Sequence, residues 1–291
     1  MEIGDGSTIH TLSAGEGPPV LLLHGYPQTL AAWHRVAPKL AESGFRVIAA
    51  DLPGYGRSAL SPAGAVRSEP SRRTIAASIA EAMEALGHKR FAIAGHDRGA
   101  RAGYRLALDF PDQVAAFASL TVIPTLDVWE QIDGGFAVRA PHWFFFMQPP
   151  ELVERLIGAD PISYLDHVLA GMAGGLDRLD PRALADYRAA FASKSVREAI
   201  FADYRAALGI DLEHERADRA ARRMLECPVL YLWSAGNGSD DPPSVWRRWA
   251  ADVSGEGLEG GHLQPERACD KVVEALVPFL HRCFARGAAQ L

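Results

Sequence analysis

The strongest constraint on this chain is a set of short, unbroken apolar runs spaced along its first part. Val20-Leu21-Leu22-Leu23, Val47-Ile48-Ala49-Ala50 and Phe91-Ala92-Ile93-Ala94 have the length of strands, and Ala115 to Val122 forms a fourth. A strand with one wet face alternates apolar and polar residues, whereas one buried on both faces reads as a continuous run. Between the runs the spacing becomes helical. Trp33, Val36 and Leu40 share one helix face, and Ile75, Ile79, Met83 and Leu86 share another. This alternation predicts an α/β fold: a mainly parallel sheet with helices on both faces. The polar stretch Ser58 to Arg73, with two prolines, reads as an exposed loop.

The pattern changes near Pro124. From Thr125 to Glu226 the chain reads as mostly helical, with aromatics clustered at Trp143-Phe144-Phe145-Phe146. Val229-Leu230-Tyr231-Leu232-Trp233 resumes the strand pattern, and a last helix is expected over about Asp270 to Arg282. The economical division is a core of residues 1–124 and 227–291, interrupted by a helical cap at 125–226 that would exclude water from chemistry.

Composition narrows the partners. The 291 residues are 48% hydrophobic and 23% charged, enough to bury a large core without staples. A net charge of −6 argues against nucleic acid, which needs clustered Lys and Arg. The three cysteines, Cys227, Cys269 and Cys283, make neither a disulfide framework nor a Cys-x-x-Cys zinc pair, so no metal is expected. The N-terminus has no basic-then-apolar signal pattern, and no apolar run approaches the ~20 residues of a membrane span. The expectation is a cytoplasmic protein with no membrane partner.

Gly95-His96-Asp97-Arg98-Gly99 joins the third apolar run to a helix pattern. Paired glycines permit the sharp G-x-nucleophile-x-G elbow, usually built around serine, which lifts the central side chain out of the sheet. The helix N-terminus favours negative charge there. The competing reading of Asp97 is an ordinary helix cap. Two companions favour the elbow. His24-Gly25-Tyr26-Pro27 follows the first run, where the backbone N–H groups of Tyr26 and Arg98 would face one oxyanion. Gly261-His262 comes late in the chain, as the histidine does in the α/β-hydrolase fold. Aspartate changes the chemistry. A serine that attacks an sp3 carbon forms an inert ether, whereas a carboxylate forms an ester that histidine-activated water can cleave. An aspartate elbow therefore predicts dehalogenation or epoxide opening, with no cofactor.

At these residues the sequence resembles the fluoroacetate/haloacetate dehalogenases. The likeness runs over nearly the whole chain: His24-Gly25-Tyr26-Pro27-Gln28-Thr29, Asp51-Leu52-Pro53-Gly54-Tyr55-Gly56, His96-Asp97-Arg98-Gly99-Ala100-Arg101, His142-Trp143, Asp203-Tyr204-Arg205-Ala206 and Gly260-Gly261-His262. The resemblance implies an α/β-hydrolase fold with the cap inserted after the sixth strand, a small haloacid substrate and a homodimer. It implies that Asp97 displaces halide from the α-carbon and that Arg98 and Arg101 grip the substrate carboxylate through their planar forks. His142, Trp143 and Tyr204 would bind the departing halide, and His262 would be the base.

Two positions depart from the family pattern. Thr121 stands where the family carries the aspartate that orients the histidine, and threonine cannot stabilise imidazolium by charge. The acid is then expected from the loop after Trp233, at Asp240 or Asp241, with the neutral Asn237 at the position other hydrolases of the fold use. In the cap, Met172 aligns with a tryptophan that narrows the pocket. Two other functions compete. An epoxide hydrolase would use the same aspartate with two cap tyrosines drawn from Tyr164, Tyr187 and Tyr204. A small-molecule binder without turnover would retain the pocket only.

Overall fold

The computed structural model describes the chain except residue 5, residues 62–69, 236–242 and 289–291, and the side chains of 287 and 288. Its strands are β1 (Thr11–Ala14), β2 (Pro19–Leu23), β3 (Arg46–Ala50), β4 (Phe91–His96), β5 (Val114–Leu120), β6 (Val229–Ser234) and β7 (Val253–Leu258). They form one sheet in the order β1-β3-β2-β4-β5-β6-β7. Every pairing is parallel except that of β1 with β3.

Successive side chains of a strand point to opposite faces, which is why the apolar runs are continuous. Leu21, Ile48, Ile93, Phe117 and Tyr231 enter one core with the helices Arg72–Ala85 and Arg98–Asp109. Val20, Val47, Ala92, Ala118 and Leu230 enter the other with the helices Val36–Glu42 and Cys269–Ala288. At roughly 1.5–3 kcal/mol for each fully buried large apolar side chain, this two-faced burial is the main force holding the sheet.

Between β5 and β6 the described residues form helices and no strand, from Thr125–Trp129 to Ile210–Ala220. Among the described residues this insertion follows the fifth strand in chain order, where the sixth was expected. The count differs because the N-terminal segment contributes only isolated bridges, Glu2 with Thr8 and Thr8 with Ala59. The expected exposed loop also needs correction. Ser58, Ser61, Ser71 and Arg72 are buried, and Ser71 caps the helix that Arg72 opens, its side chain accepting from the Thr74 amide. The rest of that loop, 62–69, lies outside the described residues.

Because β2 and β4–β7 run parallel, their C-terminal ends face one side. Tyr26 follows β2 there, Asp97 follows β4, Thr121 follows β5 and His262 follows β7.

Candidate active site

Asp97 is the single residue between β4 and the helix Arg98–Asp109, with φ 48° and ψ −115°, a conformation that L-residues rarely adopt. The turn can be this tight because Gly25 and Gly99, packed against it, have no side chains. A β-carbon on Gly99 would lie 2.3 Å from the Leu23 carbonyl oxygen, and one on Gly25 would lie 2.4 Å from Asp97 Cβ. The Asp97 side chain is almost buried, and the Tyr26 amide donates to its Oδ1 at 2.9 Å. Of the two amides expected at this carboxylate, only that of Tyr26 is hydrogen-bonded to it.

His262 places Nε2 3.7 Å from Asp97 Oδ2, beyond hydrogen-bond length. Its main chain is pinned twice: His96 Nε2–H donates to the His262 carbonyl at 2.7 Å, and Ser234 Oγ donates to the Gly261 carbonyl at 2.7 Å. Burial holds His96 at about 3, so it stays a neutral donor. Burial likewise lowers His262, with the Asp97 charge opposing and Arg101 reinforcing the shift. Burial alone would raise Asp97, but His262, His96, Arg101 and the Tyr26 amide hold it below the ordinary carboxylate value. At neutral pH the His262 imidazole is itself uncharged, so Arg101 and the amide are what keep Asp97 an anion.

The acid expected beside His262 falls largely outside the described residues, because Asn237, Asp240 and Asp241 all lie in 236–242. Thr121 does line the same cavity as His262. Its φ is +69°, costly for a β-branched residue, and its hydroxyl is buried without a hydrogen-bond partner among the described residues. Among the described residues, Asp97 is the only carboxylate within ion-pair distance of His262.

The two arginines occupy different environments. Arg98, fully buried, donates from Nε to Asp203 Oδ2 at 2.7 Å and from Nη2 to the Asp203 carbonyl at 2.7 Å. Its two-nitrogen fork is therefore engaged, and only Nη1 is buried without a partner. Arg101 donates from Nη1 to the Ile123 carbonyl at 3.1 Å and to Thr125 Oγ1 at 2.8 Å, and its Nε is unpartnered. Among the described residues no carboxylate forms an ion pair with Arg101: its hydrogen bonds go to neutral acceptors, and Asp97 and Glu215 act on its charge only from beyond ion-pair distance.

Three rings complete the site. The Arg98 guanidinium lies 4.2 Å over the Tyr204 ring, and that of Arg101 lies 5.1 Å from Trp143. His142 meets Tyr204 edge-on at 5.4 Å and stacks on Tyr26 at 5.1 Å, and Trp143 packs 6.1 Å from Tyr204. The side chains of His142, Trp143 and Tyr204 make no hydrogen bond within the described protein. Burial lowers His142 to about 4, so it is neutral, with one N–H to give. Burial also raises Tyr204 well above its ordinary value, so its hydroxyl keeps the proton.

A cavity of about 590 Å³, lined by Thr121, Arg139, His142, Met172 and His262 among others, meets this cluster at His142 and His262. A hollow of about 710 Å³ between Pro53–Leu60 and the helix Lys194–Leu208 is larger but is lined by neither Asp97 nor His262. Among the described residues no three His, Cys, Asp or Glu side chains converge to hold a metal ion, and no helix is long and apolar enough to cross a membrane.

The other cap tyrosines are committed elsewhere. Tyr164 shares a hydrogen bond with the Tyr26 hydroxyl at 3.1 Å, and the Tyr187 hydroxyl accepts from Gln28 at 3.3 Å. The sequence reading missed the supports: His96 and Ser234 under His262, and Tyr55 and Asp203 behind Arg98. Tyr55, His96 and Asp203 sit inside motifs quoted above, but adjacency in a motif does not say which side chain turns toward which.

The chain belongs to the α/β-hydrolase fold family, whose profile matches residues 18–262. Within that family it stands with the haloacetate-dehalogenase-like members. It is 39% identical over 285 residues to a fluoroacetate dehalogenase from a Burkholderia species, covering 96% of this chain and 92% of that one. It is also 29% identical over 280 residues to a soluble epoxide hydrolase from Corynebacterium, covering 94% of each. A solved structure from Pseudomonas aeruginosa, provisionally called an epoxide hydrolase, matches with a TM-score of 0.90 and 46% identity over 98% of this chain and 99% of that one. The protein is thus a hydrolase of this fold.

Proposed function

We propose that the chain hydrolyses 2-haloacids such as fluoroacetate or chloroacetate to the 2-hydroxyacid (glycolate) and halide, with Asp97 as nucleophile and residues 125–226 as the cap over the site. The observation that carries this reading is Arg101, a buried cation near the nucleophile that has no carboxylate in ion-pair contact among the described residues. A buried charge without an ion-pair partner is costly, and a substrate carboxylate would supply that direct partner. The free Nη1 of Arg98 would be the second contact.

In this mechanism an Asp97 carboxylate oxygen attacks the α-carbon. The C–O bond forms as the carbon–halogen bond breaks, and the halide leaves with the electron pair toward His142, Trp143 and Tyr204. Neutral His262 then takes a proton from water, whose oxygen adds to Asp97 Cγ while the Tyr26 N–H faces the oxyanion. Collapse expels the alkoxide of glycolate, which takes the proton from His262, and the Asp97 carboxyl loses the remaining proton to solvent.

Arg101→Gln is expected to lower kcat/KM for chloroacetate about 10- to 100-fold, since a hydrogen bond to a charged group contributes roughly 1.5–3 kcal/mol. Chloroacetamide, which lacks the charge, should lose little. Equal losses for both substrates would remove Arg101 from the anion site. Gly25→Ala pushes a methyl group into Asp97 Cβ. Halide release should fall on the order of 10²-fold, as it does when a reacting group is misplaced by about 1 Å. An unchanged rate would mean that the elbow is not rigid.

The relatives support a second reading, epoxide hydrolysis by the same Asp97. It wants two free tyrosine hydroxyls, and of Tyr164, Tyr187 and Tyr204 only Tyr204 has no hydrogen-bond partner among the described residues. Parallel assays with fluoroacetate, chloroacetate, 2-chloropropionate and styrene oxide decide between the two. Turnover of styrene oxide without halide release from any of the acids would reverse the ranking. Halide release beyond one equivalent per enzyme would exclude a binder without turnover.

A further inference from the structure

Arg98 is held by a device that the proposed reaction does not itself require. The helix Lys194–Leu208 carries Asp203 and Tyr204 side by side. Tyr204 covers the face of the Arg98 guanidinium, while Asp203 takes its Nε through the side chain and its Nη2 through the main chain. Asp203 is tied from two further directions. The Tyr55 hydroxyl donates to its Oδ2 at 2.7 Å, and Arg72 Nη2 lies 2.7 Å from its Oδ1. Arg72 also meets Asp211, its amide donating to Oδ1 at 2.7 Å. All six side chains are buried. Asp203 lies between the two guanidinium groups, Asp211 beyond Arg72 is held well above the ordinary carboxylate range by burial and the Asp203 charge, and Arg101 stands outside this cluster.

A network of this kind can be a staple between core and insertion and nothing more, since buried ion pairs add little net stability over apolar packing. Its placement argues for more. It consumes two of the three Arg98 nitrogens and leaves Nη1 buried without a hydrogen-bond partner, while the guanidinium carbon lies over the ring of Tyr204. A free guanidinium on a flexible stem would have many ways to meet an anion, whereas this one has a single nitrogen left.

We propose that Asp203 is a positioning residue for the anion site: it fixes Arg98 so that Nη1 alone meets the substrate carboxylate, and it cancels the Arg98 charge so that Arg101 supplies the net attraction. Tyr55 and Arg72 hold Asp203 in turn. This rests on the reading of Arg98 and Arg101 given above, but its test needs no turnover. Acetate binding is measured by titration calorimetry on the full chain and on Asp203→Asn, Asp203→Glu, Arg98→Gln and the double variants.

Asp203→Asn keeps an acceptor for Nε but uncovers the Arg98 charge, so acetate should bind about threefold tighter or more. Asp203→Glu keeps the charge but displaces Arg98 by a methylene, so acetate should bind about tenfold more weakly. In the Arg98→Gln background both effects should shrink to within about twofold, because they act through Arg98. A structural staple predicts loss in the same direction for both variants. That outcome, persistence of either effect without Arg98, or absence of acetate binding to the wild type would overturn the proposal. If Asp203→Glu does not fold, the near-isosteric Asp203→Asn and its double variant carry the cycle alone. If the wild type releases no halide yet acetate behaves as stated, the reaction reading fails and the positioning role stands.

Discussion

Asp97→Asn is expected to release no halide above background, a fall on the order of 10⁴-fold or more in kcat, as when a covalent nucleophile is removed. The elbow should survive the change, because Asn tolerates positive φ as Asp does and the Tyr26 amide retains an acceptor at Oδ1. Acetate binding should therefore persist or strengthen, since Arg101 no longer faces the Asp97 anion. The companion measurement is a single turnover of chloroacetate by the wild type in 18O water, followed by mass spectrometry of the Asp97 peptide. Hydrolysis at Asp97 Cγ leaves one labelled oxygen in the carboxylate. Label found only in glycolate would mean that water attacked the α-carbon directly, with Asp97 as base, and the ester mechanism would fall. The His262–Asp97 distance of 3.7 Å suits the covalent route. The two groups are not hydrogen-bonded to each other, so Asp97 is free to attack carbon.

What the sequence shows and hides here follows from the kind of information each feature carries. The buried strands are legible because both faces are apolar, and Asp97 is legible because an elbow needs glycines at fixed spacing. β7 was not foreseen: Val253-Ser254-Gly255-Glu256-Gly257-Leu258 is an exposed edge strand with too few apolar residues to show a period. β1 is another edge strand, with mostly exposed residues. In the site, residue types and family motifs pointed to His142, Trp143 and Tyr204, and the structure brings them together. They did not reveal that Arg98 spends its fork on Asp203, because that pairing spans 105 positions and depends on how the insertion folds back. Nor did they foresee the conformation of Thr121. Its backbone conflicts with its side chain, and local propensity gives way at a strand end held by Leu232.

His262→Gln should separate the two halves of the reaction. Alkylation needs only Asp97, so halide release is expected to begin at near the wild-type rate and stop at one equivalent per enzyme. The ester should then persist, its hydrolysis slowed about 10²- to 10⁴-fold by loss of the base, and intact-mass measurement should find one carboxymethyl group on the protein. Absence of a burst would place His262 in the first half as well. The pH dependence has a definite sign. The working base is neutral imidazole, and burial holds His262 below 6.5. Hydrolysis should therefore be level through neutral pH and fall on the acid side, as pH drops through the lowered value. In the ester the Asp97 charge, which raises His262, is gone. The acid limb of single-turnover ester hydrolysis should accordingly lie lower still than that of the free enzyme. Thr121→Asp moves the limb the other way. A carboxylate there would stabilise imidazolium, and aspartate accepts the positive φ that threonine resists. Ester hydrolysis should quicken at least about tenfold, the acid limb should shift upward and Tm should not fall. No acceleration, with an unmoved limb, would give the orienting role to Asp240 or Asp241, and Asp240→Asn and Asp241→Asn should then slow ester hydrolysis without touching the burst.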